Sequence, residues 1–205
     1  MITKYIILAL YFAILFFIGL MASKKISGAK DYFVGGKKLG YWVVAFSSRA
    51  TGESAWLLLG LTGMGAMFGL QSLWVVVGEV LGVSIAWLFM AKPFKKLTDE
   101  YDSITIPDFL VSHFKTSSHY LRIISATALS LFVTIYVSAQ IDATGKAFES
   151  FLNWNYYTGA IIGFAIVSLY ITTGGFVAVA WSDMFQGLIM IIGLVVLPIV
   201  AFLVT

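Results

Sequence analysis

The sequence predicts an all-α integral membrane protein with about six transmembrane helices. Hydrophobic residues make up 60% of the 205-residue chain and charged residues 11%, against roughly 45–50% and about 25% in soluble domains. A soluble fold of this size could not bury so much apolar surface, because small proteins leave much of their chain in contact with water. The composition therefore excludes a soluble enzyme, a disordered chain and a nucleic-acid-binding protein.

Six apolar runs are long enough to cross about 30 Å of hydrocarbon, which takes roughly 20 helical residues. We expect the first run to be retained, because it has no small-residue cleavage site and leads into a lysine-rich loop. The runs lie near Tyr5–Met21, Leu39–Phe68, Leu73–Ala91, Leu121–Asp142, Tyr156–Thr172 and Asp183–Val204.

Basic residues set the predicted orientation in the cell membrane. Ten lysines and arginines lie in or beside the loops that follow the first and third spans, whereas only Lys4 and Lys146 lie on the opposite side. Because basic loops stay in the cytoplasm, the N-terminus is expected outside. The same lysines could also contact anionic lipid, which is compatible with this orientation.

Polar residues inside the second apolar run indicate a binding site. The segment Ser47–Trp56 carries several hydroxyl and charged side chains and Gly52, and each charge costs about 2.5–3.5 kcal/mol in the middle of a spanning helix. An unwound segment would turn these groups and freed backbone carbonyls toward a ligand. The alternative is a continuous helix in which Arg49 and Glu53, four residues apart, form a salt bridge.

Asp183 is a second candidate, because it follows the Gly174–Gly175 pair and opens the predicted last span. Either Ser182 or Asp183 would cap the N-terminus of that helix well. Alternatively, the Asp183 carboxylate coordinates or relays a cation. The spacing leaves both interpretations open.

The fourth span carries a third group of polar residues. Tyr136 has a ring and a hydroxyl suited to a pocket wall, whereas hydrogen bonding between helices is the expected role of Ser138 and Gln140. Glu79, in the third span, is expected near a helix contact. Three GxxxG pairs predict such packing faces: Gly65/Gly69, Gly78/Gly82 and Gly159/Gly163.

Catalytic motifs do not occur in the sequence, which has no cysteine, no HExxH, no GxSxG and no phosphate-binding loop. The chain is therefore not expected to be an enzyme. The two histidines, His113 and His119, lie in the long polar loop after the third span and are expected to be solvated.

Five motifs in order along nearly the whole chain resemble those of one family. They are DYFVGGKKLG (Asp31–Gly40), ATGESAWLLLGLTG (Ala50–Gly63), LRIISA (Leu121–Ala126), FVTIY (Phe132–Tyr136) and GGFVAVAWSDMFQ (Gly174–Gln186). Together they resemble the sodium:solute symporter family, and within it the sodium/proline symporter branch.

The resemblance implies a LeuT-type fold, in which an extra N-terminal helix precedes two inverted five-helix repeats. A single transmembrane domain, residues 1–205, would comprise the extra helix near residues 5–21 and the first repeat near residues 39–205. The second repeat is absent, so the chain is expected to be a fragment that lacks the C-terminal half of a transporter.

The function implied by the resemblance is sodium-coupled symport of a small amino acid by alternating access, with proline as the expected substrate and Na⁺ as the co-transported ion. Symport of another small organic solute, such as a sugar, a carboxylate or a vitamin, is the first alternative. The second is a sensory or structural membrane component in which the broken helix only packs.

Position in the family motifs also implies the site residues. Ala50 and Glu53 would offer backbone carbonyls to sodium, and Asp183 matches an aspartate that influences sodium use in the family. The residues implied to face the substrate are Ser54, Ala55, Trp56 and Tyr136.

Overall fold

The computed structural model describes residues 2–116 and 119–204, apart from the side chains of Glu53, Leu58 and Val204. Within these residues the chain is helical and contains no β-strand. Two π-helical segments, Trp56–Leu61 and Ala86–Ala91, and two 3₁₀ turns, Gly35–Lys37 and Gly69–Ser72, join some of the helices. The α-helices are Ile2–Ser23 (α1), Ala29–Val34 (α2), Tyr41–Ala55 (α3), Thr62–Phe68 (α4), Leu73–Ile85 (α5), Lys92–Glu100 (α6), Ile106–His113 (α7), His119–Leu152 (α8) and Tyr156–Val204 (α9).

Four helical stretches in the described part of the chain are long and apolar enough to cross a membrane: Ile2–Ser23, Leu59–Glu100, His119–Leu152 and Tyr156–Leu203. A helix forms all its backbone hydrogen bonds within itself. This is required in a membrane, because hydrocarbon offers no hydrogen-bond partners. The chain is therefore a membrane-spanning α-helical protein.

Several predicted helix boundaries are confirmed. The stretch Leu59–Glu100 is interrupted at Gly69, whose φ of 58° and ψ of −133° are not helical, so that α4 ends at Phe68 and α5 begins at Leu73 as expected. α9 begins at Tyr156, also as expected, whereas α8 continues past the predicted end to Leu152.

The predicted start of the last span at Asp183 is wrong. Within α9 only Gly175, with φ 52° and ψ −150°, departs from helical backbone angles, so Asp183 lies well inside the segment that follows. The Ser182 hydroxyl donates to the Val179 carbonyl of the same helix, at 2.8 Å. Neither residue caps a helix, because the amide groups in this segment already belong to a continuous helical ladder.

The chain divides into two compact units, which we describe separately: Met1–Ser54 with Ile141–Thr205, and Ala55–Gln140. In the first unit α1 packs against α9. A Cβ atom on Gly19 would lie 3.0 Å from the Tyr170 Cβ, and the Tyr11 ring stacks on Phe185 with centroids 6.3 Å apart. The helix α1 therefore contacts α9 both before and after the interruption of α9 at Gly175. The buried residues of this core are Leu15, Ala22, Tyr170, Val177 and Ala178.

The interruption at Gly175 lies against the short helix α2. The Tyr32 hydroxyl donates to the Thr172 carbonyl at 3.3 Å, and a Cβ atom on Gly175 would lie 2.6 Å from the Tyr32 carbonyl oxygen. Beside it, the Lys25 ammonium lies 4.6 Å from the centre of the Trp181 ring. A glycine is required here because both its positive φ and the close approach of Tyr32 exclude a side chain.

Asp31 anchors the loop between α1 and α3. Its carboxylate accepts hydrogen bonds from the Ser27 hydroxyl and from the Ser27 amide, the latter at 3.1 Å. The Ser27 hydroxyl, followed by the amide, holds the pKa of Asp31 below its usual range, because both donors favour the charged carboxylate. Asp31 therefore stays ionised at neutral pH.

Glycine contacts confirm one predicted packing face. Cβ atoms on Gly159 and Gly163 would lie 2.6 Å from side-chain atoms of Phe148 and Thr144, so α8 and α9 approach closely there. The other two GxxxG pairs meet no neighbouring helix within the described residues, so those two packing faces stay predictions. Gly69, Gly78 and Gly82 have no neighbour within 4 Å of the Cβ position, and Gly65 meets only Ser72, at 3.8 Å.

In the second unit, helix α7 begins as predicted around Pro107, where the Thr105 side chain accepts from the Asp108 amide. Asp108 also pairs with Arg122, with 3.1 Å between Oδ1 and an Arg122 guanidinium nitrogen. His113 is exposed, as expected, and its ring also stacks on Phe109 with centroids 5.5 Å apart.

Candidate functional site

The predicted interruption of the second apolar run occurs at Ser54, in the last turn of α3. Ser54 has φ 45° and ψ −168°, a combination that costs residues other than glycine about 1–3 kcal/mol. The break is confirmed and the continuous helix is wrong, but the break is narrower than expected. The preceding polar residues remain helical, and the Thr51 hydroxyl donates to the Ser47 carbonyl of the same helix at 2.9 Å.

Gln140 accepts a hydrogen bond from the first backbone amide after the break. The Ala55 amide donates to the Gln140 side-chain oxygen Oε1 of α8 at 3.1 Å, in a partly buried position within the second unit. The interhelical role predicted for Gln140 is therefore confirmed. The same prediction for Ser138 is wrong, because its hydroxyl donates to the Ile135 carbonyl of its own helix at 2.7 Å.

Trp56 begins the π-helical segment and lies over Gly60. Trp56 is 49% exposed. A Cβ atom on Gly60 would lie 2.1 Å from the Trp56 ring atom Cε3. The absence of a side chain at Gly60 is what allows the indole to lie there.

Tyr136 lies on α8 one helical turn before Gln140, so the two residues share a face of that helix. It is 46% exposed. The hydrogen bond from Ala55 to Gln140 brings this part of α8 beside the segment that carries Trp56. Three of the four predicted substrate residues thus belong to the second unit, and Ser54 is the last residue of the first.

Asp183 contacts α3 rather than a helix terminus. The Ser47 hydroxyl donates to the Asp183 oxygen Oδ2 at 2.6 Å, in a partly buried position of the first unit. Ala50 follows Ser47 by about one turn and lines a cavity of about 330 Å³ between α3 and α9. The hydrogen-bond partner of Asp183 on α3 is therefore Ser47, which precedes the predicted ion residue Ala50.

Hydroxyl-bearing residues line a second cavity beside α3. The cavity has a volume of about 290 Å³, and its lining includes Ser47, Ser48 and Thr51. Among the described residues, groups of three or more His, Cys, Asp or Glu side chains that could hold a metal do not occur. Hydroxyl and carbonyl oxygens are hard ligands, which suit hard cations.

The prediction for Glu53 concerns both its backbone and its side chain. Its backbone belongs to α3, directly before the break. Its side chain lies outside the described part of the chain, and so does the alternative salt bridge with Arg49.

Sequence reasoning missed two contacts, both of them between distant segments. Ser47 was one of several polar residues in the second apolar run, and nothing in its spacing distinguished it as the partner of Asp183. The position of Gln140 one turn after Tyr136 was a usable signal for a residue near the predicted pocket wall, but its partner Ala55 is 85 residues away in sequence.

A family model agrees with the sequence motifs. The model described as "Sodium:solute symporter family" matches residues 32–205, which is most of the chain. No solved structure matches the chain.

Curated relatives of the chain include three bacterial proline carriers. The chain is 40% identical to the high-affinity proline transporter PutP of Bacillus subtilis (strain 168) over 186 residues, which is 90% of this chain and 39% of the relative. It is 39% identical to the osmoregulated proline transporter OpuE of the same organism, over 95% of this chain and 40% of the relative. It is 36% identical to sodium/proline symporter 2 of Staphylococcus saprophyticus, over 96% of this chain and 39% of the relative. The chain thus spans about two fifths of the length of these relatives.

Proposed function

The chain belongs to the sodium:solute symporter family, and we propose that the whole protein is a sodium-coupled symporter that takes up proline by alternating access. The observation that carries this proposal is the break at Ser54 inside an apolar run, because interrupted helices form the midplane sites of secondary transporters. The names of the curated relatives support proline as substrate and sodium as the co-transported ion.

The proposed architecture has six membrane crossings, with the N-terminus outside. Gly69 and Gly175 interrupt the two longest apolar stretches, which supports dividing each into two crossings. The extra helix near residues 5–21 and a first LeuT-type repeat near residues 39–205 would form one domain. A second repeat in the remaining length of the transporter would complete the sodium site and would be this chain's partner.

The proposed sodium ligands are the backbone carbonyls of Ala50 and Glu53, which lie in the last turn or two before the break. Asp183 acts beside them. Its hydrogen bond to Ser47 supports this role, because it ties α9 to the helix that carries both carbonyls. A carboxylate at this place also favours a cation by its charge.

The proposed substrate residues are Ser54, Ala55, Trp56 and Tyr136. Backbone strain at Ser54 supports a functional role, since such strain persists where the surrounding structure over-determines it and is common at binding sites. The half-exposed rings of Trp56 and Tyr136 support a pocket wall on the second unit.

Sodium coupling supplies enough free energy for concentrative uptake. One sodium ion moving through about 100 mV contributes roughly 2.3 kcal/mol, and a tenfold concentration gradient adds about 1.4 kcal/mol. Together they support an accumulation of several hundredfold. Net positive charge would enter with each zwitterionic substrate.

Ion replacement tests the proposed function. We expect uptake of radiolabelled proline by the whole protein in proteoliposomes to collapse when external sodium is replaced by potassium or choline, because the driving ion is then missing. Excess unlabelled proline should compete. Uptake that persists without sodium would overturn the proposal, and failure of proline to compete would favour symport of a sugar, carboxylate or vitamin instead.

Removal of the Asp183 charge tests its role in ion use. In Asp183→Asn the side chain still bonds to Ser47 but loses the negative charge, so we expect the sodium concentration for half-maximal uptake to rise about tenfold. Asp99→Asn is the control, because Asp99 pairs with Lys95 on its own exposed helix and such pairs contribute little. An unchanged sodium dependence in Asp183→Asn would show that Asp183 has no role in sodium binding.

A further inference from the structure

We propose that Gln140 is a positioning residue that holds the interrupted helix in its binding geometry by accepting the first amide hydrogen after the break. This inference rests on the proposed function, because it gives Gln140 a role in that same site. Gln140 itself touches neither ion nor substrate in this proposal. It acts through Ala55, whose amide it binds.

The break creates the need for such a partner. In a continuous helix the amide of residue 55 would donate to the carbonyl of residue 51, four residues earlier. The extended ψ of −168° at Ser54 turns the next peptide unit away from that carbonyl. An amide left without an acceptor in a membrane interior is strongly unfavourable, because neither lipid nor an apolar neighbour accepts its hydrogen.

Gln140 meets this need from outside the broken helix. Its Oε1 lies 3.1 Å from the Ala55 nitrogen, within the range of a good N–H···O hydrogen bond. The side-chain amide must present its oxygen here, because the backbone N–H is a donor and requires an acceptor. An aliphatic residue at position 140 would leave the donor unsatisfied.

The same hydrogen bond aligns two walls of the proposed pocket. Gln140 and Tyr136 share a face of α8, and Ala55 directly precedes Trp56. Because both pairs lie in the second unit, one hydrogen bond fixes the register between the helix that carries Tyr136 and the segment that carries Trp56. Loss of this bond should loosen the geometry of both aromatic residues at once.

Hydrogen exchange tests the bond without any transport measurement. In the whole protein in nanodiscs, amide exchange of the segment around Ala55 should be slow, and it should become about tenfold faster in Gln140→Leu, which has a similar volume but no acceptor. Gln140→Glu keeps a side-chain oxygen at the same reach and should restore slow exchange. Ser138→Ala is the matched control on the same helix, because its hydroxyl bonds only within α8.

Binding and uptake of the same variants test the positioning role. Gln140→Leu should raise the proline concentration for half-maximal uptake about tenfold, as the loss of one hydrogen bond to a desolvated donor predicts. Gln140→Glu should recover most of this loss, and Ser138→Ala should behave as the unmodified protein. Folded yield, measured by monodisperse elution in detergent, should be similar in all three.

The outcomes separate this inference from the proposed function. Unchanged exchange around Ala55 in Gln140→Leu would overturn the inference, whatever the substrate proves to be. Faster exchange in Gln140→Leu with equal losses of uptake in the Leu and Glu variants would also overturn it, because the acceptor would then not be the relevant property. Failure of proline uptake in the unmodified protein would count against the proposed function while the exchange result still decides the role of Gln140.

Discussion

Replacing Gly175 with alanine is expected to destabilise the whole protein by about 3 kcal/mol or more, and to lower its thermal unfolding temperature accordingly. With φ 52° and ψ −150°, Gly175 adopts a conformation that is nearly restricted to glycine. The added Cβ would also lie 2.6 Å from the Tyr32 carbonyl oxygen and 2.8 Å from its ring. A backbone oxygen cannot move aside as a flexible side chain can, so α2 would have to leave its place.

The control for this substitution is Gly193→Ala in the same helix. Among the described residues, a Cβ atom on Gly193 has no neighbour within 4 Å. Alanine is also favoured over glycine inside a helix by up to about 1 kcal/mol. Differential scanning fluorimetry of the purified protein should therefore show an equal or higher unfolding temperature for Gly193→Ala. Equal unfolding temperatures for Gly175→Ala and the unmodified protein would contradict the close packing of α2 against α9.

Replacing Gly60 with valine is expected to affect substrate binding far more than folding. The new Cβ would occupy the space of the Trp56 ring, which lies 2.1 Å from that position at Cε3 and 2.4 Å at Cζ3. Because Trp56 is half exposed, the indole can rotate away, and the free energy of unfolding should fall by only about 1 kcal/mol. If Trp56 forms part of the pocket as proposed, displacing it should raise the half-saturating proline concentration at least tenfold.

Gly63→Ala is the matched control for this prediction. Gly63 lies three residues later on the same broken helix, and no described residue lies within 4 Å of its Cβ position. Concentration-dependent uptake in proteoliposomes should distinguish the two variants. A large loss of stability with unchanged proline affinity in Gly60→Val would mean that Trp56 supports the fold rather than the pocket.

Two interruptions of the helices share nearly the same backbone angles, one at Gly175 and one at Ser54. Glycine adopts these angles at little cost, whereas serine is strained. The glycine position is therefore explained by local geometry and by the contact with Tyr32. The serine position keeps a hydroxyl at the expense of backbone strain, which is consistent with its proposed place in the binding site.

Helix existence and several boundaries were predictable because they depend on local properties. Apolar runs of about 20 residues identify membrane helices. Small residues mark some of their ends, as Gly69 does between the end of α4 at Phe68 and the start of α5 at Leu73. The start of the last helical segment was not predictable in this way. Ser182 and Asp183 resemble a helix cap in sequence, but their hydrogen bonds go to Val179 and Ser47.

Helix packing shows the same limit. All three GxxxG pairs have the same local pattern, yet among the described residues only Gly159 and Gly163 meet side chains of a neighbouring helix. The pattern indicates that another helix can approach closely, because two glycines one turn apart leave the helix surface flat. Which helix takes that place depends on the rest of the fold.

The amino-acid sequence by itself determined that this is a membrane protein and where most of its helices lie, because hydrophobicity acts along the chain. It favoured an interruption of the second apolar run, because polar groups are costly in lipid, but it left a continuous helix open. Tertiary structure alone decided that the interruption falls at Ser54, that Gln140 accepts the Ala55 amide and that Ser47 binds Asp183. The physical reason is that a hydrogen bond depends on two groups meeting in space. These pairs are separated by 85 and 136 residues in sequence, so only packing brings them together.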